Sequence, residues 1–200
     1  MRVSILDYGA GNLHSVAKAL AGRRRDVRVE PDPWRALETD VLVLPGVGAF
    51  GVAAAHLAPA ADAIRTALLD GLPCLGICLG MQLLFTHSDE ATCGSHGIGL
   101  IPGTVRHLTG RRVPHMGWNT LERANDPLFH ESGLATAYFA HSFVCAPEQD
   151  DVVRAWTTHD GVTFPAVVQR HATLGVQFHP EKSARAGVRF LRSFLDKVAS

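Results

Sequence analysis

Cys78 lies in a segment whose pattern is typical of a catalytic nucleophile. The segment Gly76-Ile77-Cys78-Leu79-Gly80 follows a short apolar run that begins at Pro73, and further apolar residues follow it. Glycines two residues before and after a nucleophile predict a sharp turn from a buried strand into a helix, because side chains there would collide. This turn would place Cys78 at the first turn of a helix, where backbone N–H groups and the helix dipole stabilise a thiolate. The N–H of Leu79 would point at the same place and supply half of an oxyanion hole.

His179 and Glu181 could supply the base that such a thiol needs. They follow the β-type run Gly175–Phe178 and are separated by Pro180. A nucleophilic cysteine needs a base that takes its proton and returns it to a leaving amine, and the base needs a third group that fixes its tautomer. Residues two apart on an extended segment project on one side. The spacing therefore predicts a base, His179, with its orienting carboxylate, Glu181.

Two other interpretations of these residues stay open at this point. Cys78 could be a buried core cysteine, since free Cys is among the most buried residue types, with His179 a turn residue at a strand end. A zinc deaminase needs His-x-Glu followed by Pro-Cys-x-x-Cys. Here Pro73-Cys74-x-x-x-Cys78 precedes the histidine segment, and its spacing is one residue too long. Neither interpretation explains the glycine-flanked cysteine and the His-x-Glu pair together.

The first part of the chain alternates between strands and helices. Predicted strands cover residues 3–6, 27–29 and 41–44, and predicted helices cover residues 13–20, with Asn12 as N-cap, 33–38 and 51–69, the last interrupted near Pro59. This alternation predicts an α/β fold of three layers, a mostly parallel open sheet with helices on both faces. Ligands bind at the carboxyl ends of the strands in such sheets. Cys78 and Gly46-Val47-Gly48 both follow such ends, so we expect them to face each other. Backbone N–H groups near Val47 would then be available to an anion. The other interpretation of the segment Gly46-Val47-Gly48 is a plain Pro-Gly turn.

The second half of the chain has a different texture. Residues 86–103 are polar and rich in glycine and are predicted to be a loop. Short β-type runs at 104–107, 118–121, 138–144, 152–156, 165–168 and 174–178 predict a mixed or antiparallel extension of the sheet. Apolar residues between 190 and 198 predict a final amphipathic helix. The chain has no internal repeat and no linker, so we expect a single domain over residues 1–200.

Composition and charge exclude several classes of protein. The 200 residues are 46% hydrophobic and 19% charged, and the net charge is zero with His neutral. No basic stripe recurs, so we expect no nucleic-acid partner. No apolar run approaches the ~20 residues of a membrane helix, so we expect no signal peptide, no membrane partner and a cytoplasmic location. The four cysteines at positions 74, 78, 93 and 145 form no C-x-x-C pair, and their thiols are expected to be free.

Several segments resemble a known family. Gly76–Gln82 and Gly175–Glu181 together resemble the class I glutamine amidotransferases, which carry a Cys-His-Glu triad on a flavodoxin-like core. Five further segments resemble the glutaminase subunits of imidazole glycerol phosphate synthase: Asp7-Tyr-Gly-Ala-Gly-Asn12, Leu44-Pro-Gly-Val-Gly-Ala-Phe50, Pro114-His-Met-Gly-Trp-Asn119, Tyr138-Phe-Ala-His-Ser-Phe143 and Pro180-Glu-Lys-Ser183. The resemblance extends from Asp7 to Ser183. Phe143 stands where many relatives have Tyr, which leaves the triad assignment untouched.

The resemblance implies a glutaminase mechanism. Cys78 attacks the side-chain amide of glutamine, His179 shuttles the proton, and Glu181 orients His179. A γ-glutamyl thioester forms, ammonia leaves, and water then releases glutamate. We expect neither a metal nor a cofactor.

The same resemblance assigns roles to further residues. The oxyanion hole would consist of the N–H of Leu79 and one from the strand Gly46, Val47 and Gly48. The glutamine-binding residues would be Gln82, His141, Ser142 and Phe143. The partner interface would include Asn12, Lys18, Met116, Trp118, Asn119 and Lys182. An aromatic-centred cluster such as that at Trp118 is typical of interface hot spots, and a half-buried β residue is its other interpretation.

The implied partner is a (β/α)₈-barrel cyclase subunit, with which the chain would form a heterodimer. The cyclase would receive the ammonia through its interior and make imidazole glycerol phosphate and aminoimidazole carboxamide ribotide in histidine biosynthesis. Glutaminases of this family are nearly silent until the cyclase ligand binds. A backbone flip near Val47, between two glycines, would explain this physically.

Two alternatives remain beside this interpretation. The chain could be the glutaminase of another synthase, for example the one that makes pyridoxal phosphate, with the same chemistry and a different partner. It could also be a non-enzymatic scaffold that keeps the fold. Capture of a barrel cyclase would argue against the first alternative. Failure of Cys78 to react with a glutamine analogue would favour the second.

Overall fold

The computed structural model describes residues 1–9, 13–90 and 95–199, which form thirteen strands and seven α-helices. The strands are β1 (Arg2–Leu6), β2 (Asp26–Glu30), β3 (Val41–Leu44), β4 (Cys74–Ile77), β5 (Phe85–Ser88), β6 (Ser95–His96), β7 (Ile101–His107), β8 (His115–Thr120), β9 (Thr136–His141), β10 (Phe143–Pro147), β11 (Val153–His159), β12 (Val162–Arg170) and β13 (Thr173–Val176). The helices are α1 (Leu13–Leu20), α2 (Pro33–Ala36), α3 (Phe50–Leu57), α4 (Ala61–Leu69), α5 (Leu79–Gln82), α6 (Pro127–Ser132) and α7 (Ala184–Val198).

Seven of the strands form one sheet in the order β11-β12-β13-β4-β3-β1-β2. The five strands from β13 to β2 are parallel to one another, whereas β12 and β11 are antiparallel to their neighbours. This confirms the predicted α/β fold, a mostly parallel open sheet with an antiparallel extension. The carboxyl ends of β3, β4 and β13 lie side by side, and the segments that follow them meet at one edge of the sheet.

Strand β3 is apolar at every position because helices cover both faces of the sheet. Val41 and Val43 pack into a core that includes residues of α1 and α7. Leu42 and Leu44 pack into the opposite core with residues of α3 and α4. A strand that is buried on both faces has no polar alternation, so its sequence is an unbroken apolar run. The predicted three layers are therefore confirmed.

The second half of the chain adds two smaller sheets. Strands β10, β7, β5 and β6 form a four-stranded sheet, and β8 pairs with β9 alone. The prediction that residues 86–103 are a loop is therefore wrong for most of β5, for β6 and for the start of β7. Of the predicted β-type runs, only those in β11 and β12 form the antiparallel extension. The run at 138–144 is split at Ser142 into β9 and β10, which lie in different sheets, because an apolar pattern predicts a strand but not its partner.

The helices largely follow their predicted positions. Helix α1 covers residues 13–20, and its predicted N-cap, Asn12, lies outside the described residues. The stretch predicted over residues 51–69 is interrupted at Pro59, where a 3-10 turn (Ala58–Ala60) separates α3 from α4. Helix α5 is a single turn and is shorter than its apolar sequence suggests. No helix within the described residues is both long and apolar enough to cross a membrane.

Candidate active site

The turn that carries Cys78 joins β4 to α5. Cys78 adopts φ 48° and ψ −102°, a conformation that residues with a side chain rarely take. A Cβ on Gly76 would lie 2.7 Å from the backbone of Gly80, and a Cβ on Gly80 would lie 2.0 Å from the carbonyl oxygen of Leu44. Both glycines are therefore required by the close approach of two backbone segments. The turn presents the sulfur of Cys78 at the carboxyl edge of the sheet.

Cys78, His179 and Glu181 lie in one line of hydrogen bonds. His179 is 1% exposed, and its Nδ1 lies 2.9 Å from Glu181 Oε1. The ring also interacts with the Cys78 side chain, which raises the pKa of the ring. The other carboxylate oxygen, Oε2, is buried and has no hydrogen-bond partner among the described residues. The hydrogen bond from Glu181 Oε1 to His179 Nδ1 therefore orients the ring.

The pKa of His179 is raised to about 9 by its two partners. Burial alone would lower it, because a low dielectric disfavours the imidazolium. The hydrogen bonds to Cys78 and Glu181, together with their charges, outweigh that effect. The two partners therefore stabilise the imidazolium that forms when the ring takes a proton.

Strand β9 and Ser183 hold the His179 segment in place. The backbone N–H of His179 donates to the carbonyl oxygen of Tyr138 at 2.8 Å. The Ser183 hydroxyl donates to the His179 carbonyl at 2.7 Å and accepts the backbone N–H of Tyr138 at 2.9 Å. The neighbouring Phe178 is fully buried in the core. These contacts leave the imidazole little freedom to turn away from Cys78.

Gln177 contacts the sulfur directly, although its sequence position had suggested no role for it. Its side chain is fully buried, and Nε2 donates to Cys78 Sγ at 3.5 Å. The Cys78 thiol also points at the carbonyl oxygen of Ala140, 3.9 Å away. The signal for Gln177 was its spacing, because residues two apart on an extended segment face the same side and His179 is two residues on.

The segment Gly46-Val47-Gly48 packs against the Cys78 turn, as the sequence predicted. A Cβ on Gly46 would lie 2.9 Å from the carbonyl oxygen of Ile77 and 3.1 Å from a ring carbon of His179. Gly48 has φ +130°, which a residue with a side chain would adopt only with strain. Upstream, the buried Tyr8 hydroxyl donates to the carbonyl oxygen of Pro45 and anchors the start of the segment.

A cleft of about 300 Å³ opens at Cys78 and gathers most of the predicted site residues. Its lining comprises Gly46, Val47, Gly48, Cys78, Leu79, Gln82, Glu90, Pro114, Met116, Ala140, His141, Ser142 and Phe143. All of the predicted oxyanion and glutamine-binding residues are in this set. Glu90 also lines the cleft without having been predicted there, and its Oε2 accepts the backbone N–H of Phe50 at 3.1 Å. It lies in a stretch that was predicted to be a loop, and an acidic residue in a loop gives no signal of its own.

Gln82 and His141 hold the wall of the cleft through the carbonyl oxygen of Phe143. Gln82 Nε2 donates to this oxygen at 3.1 Å, and His141 Nδ1 lies 2.9 Å from it. Burial, reinforced by the neighbouring His115, lowers the pKa of His141 to about 3. His141 is therefore a neutral ring, in contrast to His179. Among the described residues, no group of His, Cys, Asp or Glu side chains is arranged to hold a metal ion.

The predicted partner-interface residues fall into three groups. Met116 and Trp118 are 68% and 55% exposed and point out from β8. The side chain of Asn119 lies on the opposite, inner face of β8, where it bonds His115 and the carbonyl oxygen of Thr158. Lys18 on α1 and Lys182 are exposed, and Asn12 lies outside the described residues. Of the predicted interface residues that the structure describes, only Met116 and Trp118 are both exposed and apolar.

Comparisons with known proteins agree with this geometry. The family model for glutamine amidotransferase class-I matches residues 4–198. Curated relatives named imidazole glycerol phosphate synthase subunit HisH include one from Natronomonas pharaonis, 45% identical over 97% of this chain and 94% of the relative, and one from Methanothermobacter thermautotrophicus, 43% identical over 98% of both. A crystal structure titled glutamine amidotransferase superposes with a TM-score of 0.73 at 17% identity and covers 99% of both chains. The structure of PurLQS from Thermotoga maritima has the same TM-score at 20% identity over 98% of both, and these two likenesses concern the fold.

Replacing Glu181 by Gln should lower the pKa of His179. The variant keeps the size of the side chain but removes the negative charge that stabilises the imidazolium, so the His179 titration midpoint should fall by about one pH unit or more from its value near 9. NMR titration of the His179 ring measures this directly. Glu131→Gln, a change on an exposed surface of α6, is the control and should leave the midpoint unchanged. An unchanged midpoint in Glu181→Gln would contradict the assigned role.

Proposed function

This chain belongs to the glutamine amidotransferase class-I family and, within it, to the HisH subunits of imidazole glycerol phosphate synthase, and from that premise we propose that it hydrolyses glutamine at Cys78 and passes the ammonia to a cyclase subunit. The observation that carries the proposal is the buried line from Cys78 through His179 to Glu181 at the mouth of the cleft. Its product would serve histidine biosynthesis.

The proposed reaction has two halves, and His179 moves one proton in each. The sulfur of Cys78 attacks the side-chain carbonyl carbon of glutamine, while His179 takes the thiol proton. The carbon–nitrogen bond then breaks, and His179 returns this proton to the leaving ammonia, so a γ-glutamyl thioester remains. Water attacks the thioester, His179 takes a proton from it, and the proton returns to sulfur as glutamate leaves. Glu181 holds the ring in the tautomer that both halves need.

The oxyanion that forms in each half needs two N–H donors. Leu79 follows Cys78 at the start of α5, where the first N–H groups of a helix have no partner within the helix. The facing segment Gly46-Val47-Gly48 would supply the second donor across the cleft. Loss of one such donor typically costs about 10²–10³-fold in turnover. The two glycines make a rotation of the Val47–Gly48 peptide inexpensive, which offers a physical route to switching the site on.

The cleft also offers groups that match the amino-acid end of glutamine. Glu90 supplies a carboxylate for the substrate ammonium group. Gln82, His141, Ser142 and Phe143 form the wall against which the substrate would lie. The wall is rigid because Gln82 and His141 bond the same carbonyl oxygen. Substrate orientation, and with it the approach of the amide carbon to sulfur, would depend on this wall.

The exposed apolar pair Met116 and Trp118 is the proposed docking surface for the (β/α)₈-barrel cyclase subunit. Trp and Met are enriched at the centres of protein interfaces. Met116 also lines the cleft, so a partner seated there would lie next to the point where ammonia is released.

We further propose that residues 1–200 act as one domain, supported by a central sheet that joins β1 to β13. We also propose that the reaction takes place in the cytoplasm, where a catalytic thiol stays reduced.

Glutamate release from glutamine tests the proposed function. We expect release by the purified chain only when the barrel cyclase subunit and its nucleotide ligand are both present. Cys78→Ala should reduce this release by about 10³-fold or more, because the nucleophile is lost. Cys145→Ala, at another buried thiol that does not line the cleft, is the control and should keep the activity. Release without the ligand would favour another synthase, and no release under any condition would favour a scaffold.

Replacing Glu90 by Gln should weaken glutamine binding. The variant still accepts the N–H of Phe50, so the start of α3 is preserved, but it no longer offers a charge to the substrate ammonium group. A charge-assisted hydrogen bond of this kind is worth about 10–100-fold, so KM for glutamine should rise by that factor with little change in kcat. Asp89→Asn, at the exposed neighbouring position, serves as the control. An equal KM in Glu90→Gln and wild type would reject this role.

Replacing Trp118 by Ala should weaken assembly with the cyclase. The loss of a central aromatic contact typically costs about 30-fold or more in affinity. Trp34 is a matched control, because it is also 55% exposed but lies on α2. Calorimetric titration with the cyclase subunit should show a large loss for Trp118→Ala and a change within about twofold for Trp34→Ala. Equal affinities for the two variants would move the docking surface elsewhere.

A further inference from the structure

Two buried histidines, His115 and His141, face each other across the pairing of β8 with β9. They are 2% and 6% exposed, and Nδ1 of His115 lies 3.1 Å from Nε2 of His141. Only one hydrogen fits between two nitrogens at this distance, so one ring donates and the other accepts. The surrounding groups decide which.

The inner end of this pair fixes the tautomer of His141. Its Nδ1 lies 2.9 Å from the carbonyl oxygen of Phe143. A carbonyl oxygen can only accept, so Nδ1 of His141 carries the hydrogen and Nε2 of the neutral ring is left as an acceptor. The hydrogen between the two rings must therefore come from His115 Nδ1.

The contacts of Asn119 with His115 also place the hydrogen on His115 Nδ1. Asn119 Oδ1 accepts the backbone N–H of Thr120 at 2.8 Å, and its Nδ2 donates to the carbonyl oxygen of Thr158 at 2.9 Å. These two backbone groups fix the orientation of the amide, so the atom 3.3 Å from His115 Nε2 is a donor. Nε2 of His115 accepts, and its hydrogen again lies on Nδ1.

The chain of hydrogen bonds continues from Phe143 to the nucleophile. The Phe143 carbonyl also accepts from Gln82 Nε2, which has a second hydrogen for Gln177 Oε1 at 3.4 Å. Gln177 Nε2 then donates to Cys78 Sγ at 3.5 Å. Asn119 on β8 is thereby connected to the sulfur through an unbroken series of hydrogen bonds.

Both rings are neutral, as this arrangement requires. Burial, together with the neighbouring histidines, lowers the pKa of His115 to about 4 and that of His141 to about 3. A charged ring would carry hydrogens on both nitrogens, and two donors would then face each other.

We propose that His115 is a positioning residue for the glutamine cleft, which keeps His141 in its Nδ1–H tautomer and thereby fixes the Phe143 carbonyl and Gln82. This inference rests on the proposed function. His115 does not line the cleft, so it acts through His141 rather than on the substrate. Its loss should therefore affect glutamine binding more than the bond-breaking step.

The tautomers can be measured without any turnover. Long-range ¹H–¹⁵N NMR correlations on the full chain, labelled at histidine and at neutral pH, distinguish the two tautomers and the imidazolium. We expect the Nδ1–H form for both His115 and His141. An Nε2–H ring or an imidazolium at either position would overturn the proposal. If the tautomers are as expected but the wild-type complex releases no glutamate, the proposed function fails and the hydrogen-bond chain stands.

Two variants of His115 separate hydrogen bonding from packing. The ring stacks on Phe139 and His159 with centroids 4.7 and 4.0 Å away, so His115→Phe keeps the stack and removes both nitrogens. In the complex with the cyclase and its nucleotide ligand, KM for glutamine should rise about tenfold in this variant with kcat within about threefold. His115→Asn, whose amide can donate near the position of Nδ1, should return KM to within about threefold of wild type.

His159→Phe is the matched control. It preserves the stack on His115 and removes no atom of the hydrogen-bond chain from Asn119 to Cys78. KM should change by less than about twofold. An equal rise in His159→Phe and His115→Phe, an unchanged KM in His115→Phe, or no recovery in His115→Asn would overturn the proposal. Should His115→Phe fail to fold, the wild-type tautomers still decide.

Discussion

The close backbone contact between the Cys78 turn and the end of β3 positions the rest of the site. Gly80 passes so near the carbonyl oxygen of Leu44 that a Cβ would lie 2.0 Å from it. Helix α5 therefore rests directly on β3, and the segment that leaves β3 has to run beside the nucleophile. Gly46 continues this contact against Ile77 and the ring of His179. Cys78, His179 and the segment that follows β3 are thus held together by close packing against glycine backbone.

Three buried histidines near this contact have opposite electrostatic roles, and their partners explain the difference. His179 faces a carboxylate and a sulfur, which raise its pKa to about 9 against the effect of burial. His115 and His141 face neutral groups or each other, and burial dominates, so the pKa of His115 falls to about 4 and that of His141 to about 3. The site therefore holds one ring that can carry a proton between sulfur and ammonia. The other two are fixed dipoles, whose hydrogen bonds do not change as the reaction proceeds.

Local sequence patterns predicted the Cys78 turn and the buried strand β3. The site residues and strands that they did not predict depend on contacts between segments distant in sequence. The spacing of Gly76, Cys78 and Gly80 encodes a turn, and the apolar run of β3 encodes burial on both faces, so both could be read from short segments. Gln177 and Glu90 join the site only because separate strands and loops meet at one edge. The short strands β5 and β6 carry polar residues and were predicted to be a loop. Their pairing is set by tertiary contacts, which no local pattern contains.

Strand β8 shows how one element can serve two surfaces. Side chains alternate along a strand, so Met116 and Trp118 point outward while His115 and Asn119 point inward. A partner that contacts the outer pair must press on the same backbone that carries the inner pair. The side chains of His115 and Asn119 have little freedom to move, because their hydrogen-bond chain ends on backbone carbonyl oxygens at both sides. A shift of β8 would therefore either carry the wall of the cleft with it or break a buried hydrogen bond, and the second costs about 1–3 kcal/mol. A partner seated on the proposed docking surface would therefore act on the proposed glutamine cleft through the shared strand β8.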